Sequence, residues 1–141
     1  MRWIKAGAAQ RRQWSTMSPV SDIVIVVDDD AAVRAALKFA LEVEGFRVQL
    51  YDGPLALLAD ANLPDRACLV IDYRMPGIDG IELIDRLRSR NVSLPAILIS
   101  GRVSEHLRSL ARRSGLTRVL EKPLSDTALV ENIRGALAAA V

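Results

Sequence analysis

The sequence alternates short apolar runs with stretches of helical periodicity, and this alternation constrains the fold more than any other feature. The first run, IVIVV at residues 23–27, is apolar and β-branched throughout, which is typical of a strand buried on both faces. Four further runs follow, each separated from the next by a helical pattern. The predicted strands cover residues 23–27, 46–51, 68–71, 96–99 and 117–120, and the predicted helices cover 31–44 and 54–61 and begin after Asp79, Ser104 and Ser125.

Strands that alternate with helices predict a parallel sheet, because parallel neighbours need a crossover connection. Two strand orders are common for such a sheet, and the order 2-1-3-4-5 suits five strands and a domain of about 120 residues. Helices should then cover both faces of the sheet. We therefore expect an α/β fold with a doubly wound, five-stranded parallel sheet and five helices.

Local signals mark several helix ends. Asp30 is predicted as the N-cap of the first helix, and Gly45 as the residue just past its end. Asp79 and Glu82 form an Asp-x-x-Glu variant of a capping box before an apolar helical pattern. Gly115 is expected to close the fourth helix.

The composition excludes several kinds of site. The chain has one cysteine and one histidine, so an intramolecular disulfide and a His/Cys metal cluster are excluded. Any metal must be held by oxygen, which favours Mg²⁺, Mn²⁺ or Ca²⁺. We expect Cys68 in the core and His106 at the surface, without a catalytic role. No apolar run approaches the roughly 18 residues that a membrane span requires, so no membrane insertion is expected.

Positive charge is concentrated at the start of the chain. Residues 1–21 contain four basic and no acidic side chains, whereas the rest has 15 basic and 17 acidic ones. The sequence pI of about 9.0 is therefore weak evidence for nucleic-acid binding, and none is expected directly. We expect a flexible basic leader at 1–21, with Met17 as an alternative start, and one domain at 22–141 without an effector domain. A leader that contacts a membrane or a partner is the other alternative.

Polar residues follow the buried runs at the point where each predicted strand ends. They are Asp28-Asp29-Asp30 after the first, Asp72 after the third, Ser100 after the fourth and Lys122 after the fifth. Ligands of open parallel sheets bind beyond the carboxyl ends of the strands, near the point where strand order reverses. We therefore expect these side chains to converge at one edge.

Such a cluster of acids needs compensation. Two carboxylates about 5 Å apart repel by about 3 kcal/mol at an effective dielectric of 20. A divalent cation is the natural partner, because hard cations bind carboxylate and carbonyl oxygens. Structural alternatives exist for each residue: helix capping for Asp28 and Asp29, a turn for Asp72, a backbone hydrogen bond for Ser100 and plain solvation for Lys122.

Four segments of the sequence together resemble those of a known protein family. IVIVVDDD, CLVIDYRMPGIDGIELI, LPAILISG and LEKPL occur in the order and spacing of the receiver domain of two-component response regulators. The resemblance covers residues 22–140 and implies a flavodoxin-like fold. The response regulator that it implies is of the single-domain type. The segment ID-x-x-MPG-x-DG-x-EL is the most specific of the four.

The resemblance implies a role for each matching position. Asp72 corresponds to the phosphoacceptor, and Asp28 and Asp29 to the acidic pair that holds Mg²⁺, with Mn²⁺ as a substitute. The backbone carbonyl of Arg74 corresponds to a further metal ligand, Asp72 itself being another. The remaining matches are the residues that contact the phosphoryl group, Ser100 and Lys122, and the turn residue Pro123, whose bond to Lys122 is usually cis in this fold.

Two features, involving three residues, depart from the family pattern. Receivers often carry an aromatic residue three positions before the lysine, and here Val119 occupies it. Valine has one stiff side-chain torsion and cannot make the rotation attributed to that aromatic residue. Arg74 and Arg102 both flank the acceptor, where long cationic side chains could shield a phosphoryl group from water. A slow loss of phosphate is the resulting hypothesis.

The implied function is a cytoplasmic, phosphoryl-accepting receiver that is not itself an enzyme. Its donor would be a sensor histidine kinase or a phosphotransfer protein. Its output would be relay of phosphate, a phosphate sink, or contact with an unknown downstream protein through a surface formed by the fourth helix, fifth strand and fifth helix. The protein would be a monomer or a weak dimer formed through that same face. The arginines of the fourth helix could bind an acidic partner or simply be solvated.

Two other classes of function remain open. One is an interaction module that is independent of phosphorylation, against which the intact set of polar residues argues. The other is a Mg²⁺-dependent aspartyl-phosphate phosphohydrolase. Such enzymes generally need a second aspartate two positions after the nucleophile, and that position is Arg74.

Overall fold

The computed structural model describes residues 22–140, so the predictions for the leader and for Met17 lie outside the described residues. Strands and helices alternate throughout this range, with one helix after each strand. In chain order the elements are β1 (Ile23–Val27), α1 (Ala31–Val43), β2 (Arg47–Tyr51), α2 (Pro54–Ala59), β3 (Cys68–Asp72), α3 (Gly80–Ser89), β4 (Ala96–Ser100), α4 (Glu105–Arg113), β5 (Arg118–Glu121) and α5 (Asp126–Ala139).

The strands form one parallel sheet in the order β2-β1-β3-β4-β5, which confirms the predicted topology and the flavodoxin-like fold. Strand β1 lies between β2 and β3, with Ile25 opposite both Gln49 and Leu69. The chain therefore reverses its direction of travel across the sheet after β2. This reversal leaves a crevice at the carboxyl ends of β1 and β3.

Two apolar layers sandwich the sheet. One layer packs the sheet against α2, α3 and α4 through buried residues such as Leu57, Leu83 and Leu107. The other packs it against α1 and α5 through residues such as Leu41 and Ile133. The central strands β1, β3 and β4 are apolar up to their last residues because both of their faces lie in these layers, and β3 and β4 end in the polar residues Asp72 and Ser100.

The predictions for the single cysteine and the single histidine are confirmed. Cys68 is fully buried in the layer beneath α1 and α5, and burial raises the pKa of its thiol to about 12. His106 is exposed on α4. None of the helices between residues 22 and 140 is long and apolar enough to cross a bilayer.

The predicted helix ends are confirmed with one exception. Asp30 caps α1 by accepting hydrogen bonds from the backbone of Ala32 and Val33, and Gly45 follows the helix with a φ of +96°. Asp79 caps α3 by accepting from the Glu82 backbone at 2.9 Å. The Glu82 carboxylate, however, binds Arg86 at 2.8 Å one turn further on. The predicted capping box is therefore wrong in its second half.

Candidate functional site

The carboxyl ends of four strands carry the predicted polar residues to one edge of the sheet. Asp72 and Ser100 are the last residues of β3 and β4, one position inside the strands that the sequence predicted to end before them. Asp28 and Lys122 directly follow β1 and β5. Because the positions within strands are fixed by backbone pairing, the acceptor candidate Asp72 is held by the sheet itself.

Three carboxylates meet in the crevice between β1 and β3. One oxygen of each of Asp28, Asp29 and Asp72 lies within 4.8 Å of the others. Asp28 and Asp72 are only 3% and 7% exposed, whereas Asp29 is exposed to solvent. Within this turn Asp28 Oδ1 accepts a hydrogen bond from the backbone N–H of Asp30 at 2.9 Å. That bond fixes the Asp28 side chain but satisfies only one of its acceptor positions.

This burial of acids has an electrostatic cost. Desolvation raises the pKa of Asp28, and the neighbouring Asp29 and Asp30 raise it further, against the backbone hydrogen bond and Lys122, which lower it. Desolvation also raises the pKa of Asp72, and the charge of Asp28 adds to that increase. The ionised cluster is therefore less stable than separate carboxylates in water.

Lys122 places a positive charge beside Asp72. Its Nζ lies 3.3 Å from Asp72 Oδ1, and its attraction opposes the rise in the Asp72 pKa. The Lys122 backbone N–H donates to the carbonyl of Ser100 at 2.9 Å, which continues the pairing of β4 and β5 into this loop. The Lys122–Pro123 peptide bond is cis, as the family resemblance implied.

Ser100 is buried at the end of β4 but is turned toward its own loop. Its Oγ donates to the carbonyl of Arg102 at 2.9 Å and accepts from the Arg102 backbone N–H at 3.3 Å. No hydrogen bond joins Ser100 to Asp72 among residues 22–140. The Ser100 hydroxyl must therefore leave Arg102 before it can contact a group bound at Asp72.

The two arginines that flank the acceptor in sequence are exposed. The Arg74 guanidinium lies 5.7 Å from the ring centre of Tyr73. Tyr73 and Arg74 also line a depression of about 330 Å³ with Met75, Pro76 and Asp79. Neither Arg74 nor Arg102 forms an ion pair with Asp72 in the described part of the chain, so the structure does not bring these side chains onto the acceptor.

Two residues that sequence reasoning overlooked support the acidic cluster. A Cβ on Gly80 would lie 2.7 Å from the carbonyl oxygen of Asp72 and 2.8 Å from Leu98, so only glycine lets α3 begin this close to the acceptor. A glycine directly after the N-cap was the available signal. Arg34 on α1 donates to the Asp28 carbonyl at 2.7 Å, and the sequence offered no signal for this contact.

The arrangement suits one kind of chemistry. Its donors are carboxylate oxygens, two of them shielded from water, and an ammonium group lies beside one of them. Hard divalent cations prefer oxygen ligands of this kind. A nucleophilic carboxylate between such a cation and a lysine is equipped to accept a phosphoryl group.

Comparisons with known proteins agree with this geometry. The family model for the response regulator receiver domain matches residues 24–134. The transcriptional regulatory protein FixJ of Azorhizobium caulinodans is 41% identical over 120 residues, which cover 84% of this chain and 56% of that protein. The C4-dicarboxylate transport transcriptional regulatory protein DctD of Pseudomonas aeruginosa is 39% identical, with 81% of this chain and 25% of that protein covered.

Solved structures show the same fold. The crystal structure of FixJ-N is 33% identical, with a TM-score of 0.79 and coverage of 86% of this chain and 98% of that chain. A CheY-like receiver from Methanospirillum hungatei shares the fold at a TM-score of 0.77 and 23% identity, with coverage of 85% of this chain and 96% of that one. The chain spans about half the length of the FixJ proteins it matches. On its motifs, topology and matched span, the chain belongs to the response regulator receiver domains of two-component systems.

Proposed function

We propose that this receiver accepts a phosphoryl group on Asp72 in a Mg²⁺-dependent reaction in the cytoplasm. The observation that carries the proposal is the position of Asp72. It is fixed by β3, buried, within 4.8 Å of two further carboxylates and 3.3 Å from Lys122. Desolvated acids with a raised pKa, grouped in a crevice, are common at functional sites.

The residues present fit a Mg²⁺ ion, or Mn²⁺ in its place. Asp28, Asp29 and Asp72 would hold it, together with the backbone carbonyl of Arg74. These donors are all oxygens, and Lys122 alone leaves the charge of the three acids uncompensated. When bound, the cation supplies positive charge that keeps the carboxylates ionised and offsets charge on the transferred group.

The chain's own groups then have distinct tasks. An Asp72 carboxylate oxygen forms the new bond to phosphorus while the bond from phosphorus to the donor's imidazole nitrogen breaks, and that nitrogen keeps the electron pair. Lys122 stays beside Asp72 and attracts the phosphoryl oxygens. Ser100 leaves the Arg102 carbonyl and donates to one of them.

The last exchange links the chemistry to an output. The carbonyl that Ser100 releases belongs to the loop between β4 and α4, so this loop is free to move when the hydroxyl turns. A surface formed by α4, β5 and α5 would then differ between the two states. Val119, which is partly buried and packs against the core, stands where receivers often have an aromatic residue, so backbone movement rather than ring rotation carries the change.

The partners follow from this chemistry. The donor is a phosphohistidine on a sensor histidine kinase or a phosphotransfer protein, and the recipient of the signal is a further protein domain. The FixJ and DctD proteins are named as transcriptional regulators, and the chain matches a part of each. Whether output is transcription, relay or storage of phosphate depends on that further protein.

The test is direct phosphorylation by a small donor. The protein is incubated with Mg²⁺ and acetyl phosphate or phosphoramidate, and its intact mass is followed. We expect the wild type to gain one phosphoryl group and the Asp72→Asn variant to gain none. The control variant Asp65→Asn, which changes an exposed aspartate elsewhere, should gain one as the wild type does. A protein that stays unmodified while its partner binds it would instead be a phosphorylation-independent interaction module.

The phosphate lifetime tests the flanking arginines. If Arg74 and Arg102 move over the phosphoryl group once it is present, they shield it from water and the phosphorylated protein decays slowly. We expect an Arg74→Ala, Arg102→Ala double variant to lose phosphate several-fold faster. Decay at the wild-type rate would show that the exposed positions of these side chains persist after phosphorylation.

A further inference from the structure

The loop between β4 and α4 is held by a second contact, outside the set of residues that carry the chemistry. The backbone N–H of Val103 donates to Glu121 Oε1 at 3.0 Å. Glu121 ends β5 and is the direct neighbour of Ser100 in the register of β4 and β5. Its carboxylate therefore reaches from the strand edge over the short loop that begins after Ser100.

This contact lies next to the one that Ser100 must break. Ser100 Oγ binds both backbone groups of Arg102, and Val103 is the following residue. While Glu121 holds Val103, the Arg102 carbonyl stays within reach of the Ser100 hydroxyl. The far end of the loop is fixed as well, because Ser104 caps α4 through the backbone of Leu107.

We propose that Glu121 is a latch that keeps Ser100 turned away from Asp72 until phosphorylation. The inference rests on the proposed phosphorylation of Asp72 and adds a positioning residue that sets how readily the loop changes. The latch suits this chain because Val119 provides no aromatic side chain to couple the loop to the core. Glu121 is exposed, so the hydrogen bond can open without leaving a buried charge.

Removing the latch should favour the arrangement in which Ser100 faces the acceptor. Loss of one hydrogen bond corresponds to a change of about two- to tenfold in the balance between the two loop arrangements. We expect Glu121→Ala to be phosphorylated by acetyl phosphate faster by about that factor, and the Val103 amide to exchange with solvent faster. A purely structural defect would slow the reaction instead.

Two further variants separate the hydrogen bond from the charge. Glu121→Gln keeps an acceptor for Val103 but removes the negative charge, so it should lie between wild type and Glu121→Ala. Glu131→Ala removes an exposed glutamate on α5 whose carboxylate has no hydrogen bond or ion pair within residues 22–140, and it should match wild type. Equal gains in Glu121→Gln and Glu121→Ala would show a charge effect alone and overturn the latch.

Phosphorylation of the wild-type protein separates failure of the Glu121 latch from failure of the proposed function. If it is phosphorylated on Asp72 and Glu121→Ala reacts at the wild-type rate, the latch is wrong and the proposed function stands. If wild type takes up no phosphoryl group from either small donor with Mg²⁺ present, the proposed function fails and the latch fails with it.

Discussion

The sheet edge that carries the candidate site has two halves, and they are built differently. On one half, which we call the acid side, Asp28 and Asp72 follow or end β1 and β3, and every residue of β3 is buried. On the other, the switch side, Lys122 follows β5, whose residues are all partly or fully exposed. Ser100 joins the two halves at the end of the buried strand β4.

The difference concerns how each half can respond to a new charge. The acid side holds like charges in a tightly packed crevice, so we expect repulsion there to be relieved by binding a cation rather than by moving the backbone. The switch side holds its loop through hydrogen bonds that are exposed or only partly buried, and such bonds can exchange partners at low cost. The proposed acceptor is thus rigidly placed on one half of the sheet edge, and the proposed moving loop lies on the other.

Among variants that keep Asp72, the largest effect is expected from removing Lys122, the cation that connects the halves. Lys122→Met should reduce the rate of phosphorylation by acetyl phosphate by about 100-fold, because the transferred group loses a preorganised positive charge. The measurement is the initial rate from intact mass. Lys38→Met is the control, since its ammonium pairs with Glu42 on α1 at 2.7 Å. A loss below about threefold would place Lys122 outside the chemistry.

The difference in packing between the halves can be tested with two glycines. A methyl group added to Gly80 on the acid side would meet backbone and side-chain atoms within 2.8 Å, whereas one added to Gly101 on the switch side would meet nothing within 4 Å. Gly80→Ala should cost about 2–3 kcal/mol and lower Tm by roughly 10 °C, and Gly101→Ala should leave Tm almost unchanged. Thermal unfolding of both variants is the measurement, and equal Tm values would contradict the comparison.

The charge repulsion on the acid side predicts a smaller change in stability. Asp28→Asn should raise the stability of the metal-free protein by on the order of 1 kcal/mol, because a desolvated charge is removed. Asp29→Asn is the matched control and should gain less, since Asp29 is exposed. Denaturant unfolding without metal measures both, and a less stable Asp28→Asn protein would disprove the repulsion.

The same variant tests the cation. Mg²⁺ at ten times its dissociation constant should stabilise the wild type by about 1.4 kcal/mol. Asp28→Asn should abolish most of this gain, because a ligand with full negative charge is lost. Thermal unfolding with and without Mg²⁺ is the measurement, and an equal gain in both proteins would place the cation elsewhere.

The comparison also explains what could be predicted from sequence. The acid side follows from one-dimensional patterns, because buried strands are apolar runs and each polar residue is the first to interrupt its run, as Asp28 and Asp72 do. The switch side depends on choices among hydrogen-bond partners that no pattern encodes. Ser100, for example, binds Arg102 rather than facing Asp72. The same limit applies away from the switch side, where Glu82 on α3 pairs with Arg86 rather than with the start of its own helix.

Close contacts across the fold were invisible for a related reason. Gly80 is restricted by Asp72 and Leu98, which lie on β3 and β4, so its importance appears only once the strands are placed. Arg34 reaches back to the Asp28 carbonyl from one turn into α1, although its sequence position resembles that of any solvated helix residue. Patterns therefore located the site, and packing identified what supports it.

The smallest effect concerns a brace beside the acid side. Tyr51, whose carbonyl accepts from the Asp28 backbone, donates its hydroxyl to Asp60 at 2.6 Å. Burial and this hydrogen bond raise the pKa of Tyr51 from 10.0 to about 12, and the same bond lowers the pKa of Asp60 from 3.8. Tyr51→Phe should therefore be slightly less stable than wild type, with a deficit far below that of Gly80→Ala because the bond is partly exposed to water.

The dependence of this deficit on pH has a fixed sign. The lowered carboxyl pKa of Asp60 stabilises the folded protein above pH 3.8, and this contribution is lost as the pH falls through the folded value. The raised phenol pKa of Tyr51 stabilises the folded protein below pH 10.0, and this contribution is lost between pH 10.0 and about 12. Urea unfolding should thus show a constant deficit from about pH 4 to pH 10 that shrinks on either side. Tyr73→Phe, whose hydroxyl has no hydrogen bond within residues 22–140, should show no such window. A Tyr51→Phe deficit that persists unchanged in acid would mean that the hydroxyl stabilises through packing alone, and the brace would then add nothing to the rigidity of the acid side.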